Sequence, residues 1–295
     1  MKLANLGEDK LLLDLLSRSE VSSDVILSAG HDCAVVRSKT NRLLVLKCDC
    51  VVEGVHFKRS ASPEAVGWKA MMRPLSDFAA VSALPRYALI TLMVPGSTSR
   101  GWVDRVYTGL KRAGDRYQVG IVGGETSRTP GPASLSVAVV GFVERSRWTS
   151  RSGGKAGDDL FVTGRLGGSL GGRHLKFTPR IDEARWLTAN FHVHAMMDLS
   201  DGLGTDLPRL ARASRVGFEI EEGLLPLNPG CTAKAAVSDG EDYELLFAVN
   251  PGNRRRLLAK WKRQFPRVRL TRIGQLTKPN KSKQQKLARG YVHFQ

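Results

Sequence analysis

The sequence predicts an α/β (α+β) chain of two domains, and three observations carry that prediction. Its 295 residues suffice for two domains of ordinary size, and 42% hydrophobic content suits a chain with a sizeable core. Segments with strand composition alternate with amphipathic helical segments in both halves. Between the halves lies "RSRWTSRSGGKAGDD", residues 145–159, polar and glycine-rich, which places the boundary at expected domains 1–145 and 146–295.

Along the chain, "LLVLKCDCVV" (43–52) is rich in apolar and β-branched residues and reads as a buried strand. Asp49 is out of place there, since an unpaired carboxylate in such a strand costs several kcal/mol. It needs a partner, and a cation is one candidate. In "SPEAVGWKAMM" Ser62 is an N-cap, Pro63 takes the first helical position and Glu64 lies in the first turn. Pro74 is expected to bend or end that helix before "LSDFAAVSA". Val103, Val106, Tyr107 and Leu110 follow the helical spacing i, i+3, i+4, i+7. "YQVGIV" and "SLSVAVVGFV" read as strands flanking the turn "GGETSRTPGP", which puts Glu125 at a strand end. Beyond the boundary come a strand ("LFVTG"), a glycine-rich turn ("GRLGGSLGG"), a helix beginning near "DLSDGLGTDLPRLARA", a loop ("SDGED") and a strand ("YELLFAV"). No internal repeat stands out.

Composition excludes several classes. The N-terminal stretch is interrupted by Glu8, Asp9 and Asp14, so it has neither a signal-peptide core nor the length of a membrane span, and a cytoplasmic protein without a membrane partner is expected. Cys33, Cys48, Cys50 and Cys231 are too few for a disulfide framework, so reduced thiols are expected. The net charge of +17 suggests nucleic acid, but 14 of the Lys and Arg follow Glu244 with no acid among them, leaving 31 bases against 28 acids before that point. A solvated basic face and a loop account for this tail better than a nucleic-acid or membrane-surface module.

Acidic residues recur beside turn or small residues: Asp32, Asp49, Asp77, Glu125, Asp198 and Asp201. Carboxylates at strand ends and helix starts suit hard cations such as Mg²⁺, which takes oxygen ligands and keeps substrate phosphates in its shell. Each one singly is more often a cap or turn residue. There is no G-x-x-x-x-G-K-[ST] loop, and "GRLGGSLGG" could at most offer backbone N–H groups to an anion. A softer Zn²⁺ site from His31, Cys48, Cys50 and His56 is disfavoured against small thiols in a core strand.

Taken in order, "GHDCAVV", "CDCVVEGVHF", "KAMMRPLSDFAAVSALP", "GGETSR", "RSGGKAGDDLFVTGRLGGS", "HLKFTPR", "MDLSDGLGTDL", "SDGEDYELLF" and "GYVHF" run almost end to end. Together they resemble the thiamine-monophosphate kinases, in the ATP-binding superfamily that includes aminoimidazole ribonucleotide synthetase. The resemblance implies a two-domain aminoimidazole ribonucleotide synthetase-like fold and a homodimer paired through the N-terminal domain, with ATP near the subunit interface. It further implies ATP-dependent phosphorylation of thiamine monophosphate to thiamine diphosphate, assisted by several Mg²⁺ ions. No general base is needed, because the acceptor phosphate is already largely ionised. The difficulty is bringing two polyanions together.

By matching motif positions, the resemblance makes Asp32, Asp49, Asp77, Asp198 and Asp201 metal ligands, with Glu125 in a slot where the family has Asp. Lys47 and Cys48 fall at metal-site positions where the family carries hydroxyl residues. Gly124, Glu125, Arg151 and Ser200 match ATP-contacting positions, and His56, Glu241 and Tyr291 match acceptor-contacting positions. Further departures are His31 for a carboxylate, Pro74 for Asn, and "DGED" for "GGED". A diverged relative that binds nucleotide with little turnover, or uses another phosphorylated acceptor, is the alternative.

Overall fold

The computed structural model describes residues 11, 14, 15, 21–279 and 285–291. Glu8 and Asp9, part of the basic loop (Lys281 and Lys283) and the end of "GYVHF" lie outside the described residues. No helix among the described residues is long and apolar enough to cross a membrane.

Two sheets organise the chain. The first runs β1 (Val25–Leu27), β2 (Ala34–Arg37), β3 (Arg42–Val52), β6 (Ser134–Glu144), β4 (Leu84–Val94), β5 (Gly120–Arg128). Its pairings are antiparallel except β4 with β5. That pair is parallel because helix α2 (Arg100–Tyr117) carries the chain back between them, as a parallel connection requires. Strict alternation shows on β6, where Leu135, Val137, Val139 and Val143 are buried. They join Met71, Met72, Leu75 and Phe78 of helix α1 (Pro63–Ala80) in the core.

The second sheet runs β8 (Val193–Asp198), β10 (Leu245–Val249), β7 (Asp159–Thr163), β11 (Leu270–Thr277), β9 (Gly217–Ile220), all antiparallel. β7 and β10 are buried on both faces, which their unbroken apolar runs require. One face carries α4 (Leu203–Ser214) and α5 (Ala233–Ser238) over a core of Leu160, Val162, Leu207 and Leu246. On the other, Phe161 and Phe247 meet α3 (Ile181–Asn190) and α6 (Arg254–Gln264) in the same apolar core as the first sheet. α1 packs against α3 and β8 as well as β3, so one continuous core joins the two sheets.

Ser62 caps α1, accepting from Ala65 N at 3.4 Å, with Pro63 behind it. Pro74, expected to bend or end the helix, does not end it: α1 continues to Ala80. Apart from Arg73, every residue from 66 to 80 is buried, and that packing outweighs the roughly 3 kcal/mol an interior proline costs. Glu125 is likewise not at a strand end. β5 extends through "GGETSR", because parallel pairing with β4 holds residues 120–128 extended whatever their turn propensity. Asp49 lies inside β3 and Asp77 in the last turn of α1, whereas Asp198 does end β8 and Asp201 does precede α4.

Candidate active site

The site forms where β3, the segment before β2, the C-terminal half of α1 and the end of β8 meet. Asp32, Asp77 and Asp198 are buried, and each offers a carboxylate oxygen within 4.8 Å of the others. Arg151 donates to both oxygens of Asp32, at 2.9 and 3.0 Å. Ser76 Oγ donates to Asp198 Oδ2 at 2.6 Å, while Asp198 Oδ1 is buried with no hydrogen-bond partner. Burial, reinforced by the neighbouring Asp32 charge, pushes Asp198 up to about 7. Burial also pushes Asp77 well above the carboxylate range. Like charges crowded in a dry site with one oxygen unpartnered are what a hard cation relieves, so these residues fit Mg²⁺.

Asp49 finds its partners in the protein. Lys47 Nζ lies 3.7 Å from it and Arg73 Nη2 3.8 Å, and although burial opposes them, these cations hold its carboxyl below the usual range. Lys47 Nζ also lies 3.0 Å from Asp77 Oδ1. Residues 47 and 49 share the inner face of β3, whereas Cys48 and Cys50 are exposed on the other. Cys48 Sγ sits 3.2 Å from Ser136 Oγ there, turned away from the carboxylates. Among the described residues, the only metal-type grouping is the carboxylate trio, and it includes none of His31, Cys48, Cys50 and His56.

A second group gathers around Lys69, which is fully buried. Its Nζ lies 2.6 Å from Glu241 Oε1 and donates to the His56 carbonyl at 2.5 Å. Burial, opposed by Glu241, draws this ammonium down to about 8. Tyr243 Oη donates to Glu241 at 3.3 Å and its ring stacks on Phe177. His56 Nδ1 accepts from Val52 N at 3.1 Å. His56 and Glu241 therefore converge on one lysine. Tyr291 N donates to the Asp201 carbonyl at 2.9 Å, which brings the C-terminal segment to the start of α4 beside Ser200. Asp201 pairs with Arg209 and stands outside the trio.

Glu125 is exposed on β5, opposite Thr91 and separated from Asp49 by the two strands β6 and β4, with Ser127 Oγ donating to it at 3.3 Å. Beside it Gly124 is fixed by close approach: a Cβ there would lie 1.8 Å from the Ile90 carbonyl oxygen. The glycine-rich turn "GRLGGSLGG" folds into short 3₁₀ turns, and its Gly167 and Gly168 N–H groups donate to Asp242 and Asp239, both at 2.8 Å. Those donors serve the chain's own carboxylates.

Sequence reasoning missed Lys69, Arg73 and Tyr243. A signal existed for the first two: Lys69, Arg73 and Asp77 recur at i, i+4 and i+8 on an otherwise apolar helix, so all three point the same way.

Two sheet-based domains meeting at buried carboxylates define a class, the AIR synthase-related proteins. The N-terminal domain of that family matches residues 30–143 and its C-terminal domain residues 147–285. Within the class the relatives agree. The chain is 40% identical over 262 residues to the thiamine-monophosphate kinase of Rhodopirellula baltica, covering 83% of this chain and 82% of that one. It is 38% identical over 280 residues to the thiamine-monophosphate kinase of Aquifex aeolicus, covering 84% and 87%. A solved structure of AaThiL complexed with AMPPCP and TMP shares 34% identity and a TM-score of 0.85 over 99% of both chains. The chain belongs to the thiamine-monophosphate kinase family.

Proposed function

We propose that this protein transfers the γ-phosphoryl group of ATP to thiamine monophosphate, giving thiamine diphosphate. The observation that carries this is the end-to-end match to a structure complexed with AMPPCP and TMP, together with the buried carboxylate trio that this chain's two domains bring together. Asp32, Asp77 and Asp198 would hold Mg²⁺, with Asp49, Asp201 and Glu125 as further carboxylates around the phosphates. When bound, Mg²⁺ supplies neutralisation and alignment of the phosphate oxygens.

The chain's own residues do the rest. Arg151, locked on Asp32, offers its remaining guanidinium N–H to nucleotide phosphate. Gly124, which lets β5 lie close against the Ile90 carbonyl of β4, and Ser200 are the further residues that would contact ATP. Lys69 fixes Glu241 and His56 toward the acceptor, and Tyr291 covers its thiamine end. No side chain removes a proton from the acceptor.

We also place the domain division at residues 145 and 146, and the protein in the cytoplasm, where its exposed thiols of Cys48 and Cys50 stay reduced. A homodimer is supported by the exposed apolar side chains Leu84, Tyr87, Leu89 and Val122 on β4 and β5. Leu89→Glu should convert a dimer to a monomer in sedimentation; a native monomer would refute the pairing.

A second reading, nucleotide binding with little turnover or another phosphorylated acceptor, draws on one feature: the Lys47 ammonium among the carboxylates. The deciding assay is thiamine diphosphate formation from ATP and thiamine monophosphate, with and without Mg²⁺. Product only with Mg²⁺ is expected. A folded protein that binds ATP and makes no product would favour the second reading.

A further inference from the structure

Four carboxylates meet in the site, Asp32, Asp49, Asp77 and Asp198, and three of the chain's own cations lie against them. Arg151 is forked onto Asp32, and Arg73 approaches Asp49 at 3.8 Å. Lys47 bridges Asp49 and Asp77, 3.0 Å from Asp77 Oδ1 and 3.7 Å from Asp49 Oδ2. Lys47 and Asp49 are two residues apart on the inner face of β3, so the pleat itself aims the ammonium at the space between Asp49 and Asp77. Its side chain is only 22% exposed, which leaves it little freedom to swing out into solvent. On the other side of the cluster, Asp198 Oδ1 is buried and unpartnered.

We infer that Lys47 is a built-in cation: its ammonium holds the Asp49–Asp77 side of the cluster in place of a metal ion. It thereby confines divalent binding in the nucleotide-free protein to the single site formed by Asp32, Asp77 and Asp198. The inference rests on reading that trio as the kinase's Mg²⁺ site. The charges agree with it. With all four carboxylates ionised, the state a bound cation enforces, four against three cations leave one negative charge, which one divalent ion converts to a single positive charge facing the phosphates. A second divalent ion would stand against the ammonium in a site of low dielectric, where like charges repel strongly. With a neutral residue at 47 the deficit becomes two charges, and the Asp49–Asp77 side opens to a second ion.

The test counts ions rather than turnovers. Full-length, nucleotide-free protein is titrated with Mn²⁺ alone, and bound ion is read from loss of the free-ion electron paramagnetic resonance signal. The native chain should bind one tight Mn²⁺ per chain, Lys47→Thr one more, and Lys47→Arg, which keeps the charge, the native number. Two or more tight ions on the native chain would overturn the inference, as would an unchanged count in a folded Lys47→Thr variant. Circular dichroism establishes folding, and if Lys47→Thr does not fold, the native count decides. Thiamine diphosphate formation is assayed separately. One tight ion without product would remove the kinase reading and leave the Lys47 assignment standing; product with two tight ions would do the reverse.

Discussion

Asp49 sits inside a strand whose neighbours are apolar, and it is tolerated because Lys47 and Arg73 converge on it. Asp49→Asn keeps the shape and removes the charge. Phosphoryl transfer should fall by roughly 100-fold or more while circular dichroism stays native, and near-normal turnover would contradict its place in the site. Asp242 shows the opposite electrostatics. It accepts from Gly167 N, its Oδ1 is buried with no hydrogen-bond partner and Arg173 Nη1 lies 3.9 Å from it, and burial pushes its carboxyl up to about 7. Between the ordinary carboxylate range and pH 7 the folded chain holds a proton that the unfolded chain has released. Stability from this group is therefore fully present below the unfolded value and lost as pH rises through about 7. Asp242→Asn can still accept from Gly167, so it should flatten the decline in urea midpoint between about pH 5 and pH 7 to which this group contributes in the native chain; an identical decline in both would refute the assignment.

At the scale of elements, the segment 285–291 is strapped across the second domain by backbone and amide contacts. Gln285 accepts from Ile220 N at 2.8 Å and donates to its carbonyl at 3.2 Å, capping the edge of β9 as another strand would. Gly290 N donates to Thr205 Oγ1 at 3.0 Å and Tyr291 N to the Asp201 carbonyl. Gly204, in the first turn of α4, lets this strap lie down: a Cβ there would stand 1.8 Å from the Ala288 carbonyl oxygen. Alanine is a better helix former than glycine, so Gly204→Ala should leave α4 and the domain folded while lifting the strap. Trypsin should then cut at Lys286 or Arg289 sooner, and the KM for the acceptor should rise as Tyr291 is released. Native cleavage and KM would show that the strap does not depend on this contact. The basic residues of α6 are partly structural by the same measure: Leu257 and Trp261 are its buried stripe, and Arg254 pairs with Asp159 of β7.

Across the whole molecule, one apolar core and buried ion pairs, Arg151–Asp32 and Lys69–Glu241, bind the domains together. Lys69 belongs to α1, and Glu241 precedes β10 in the second sheet. Breaking a buried pair from one side leaves the other charge uncompensated, so Lys69→Met should destabilise the protein by about 3 kcal/mol in chemical denaturation. Because Glu241 and His56 both lean on this ammonium, the acceptor KM should rise roughly tenfold or more with less effect on ATP. An unchanged acceptor KM in a destabilised variant would reduce Lys69 to a structural link.

What the sequence by itself determined is local. The alternation in residues 134–143, the helical spacing from Val103 to Leu110 and the Ser62 cap were all legible, because neighbours two to four residues away decide them. The acidic residues were legible as a set, but not their grouping. Only the tertiary structure brought Asp32, Asp77 and Asp198 together, left Glu125 on an edge strand, carried α1 through Pro74 and turned Lys69 inward to Glu241. It also assigned Lys47 and Arg73 to Asp49. The physical reason is that burial, low dielectric and the balance of opposing charges arise only when segments far apart in the chain close over one another.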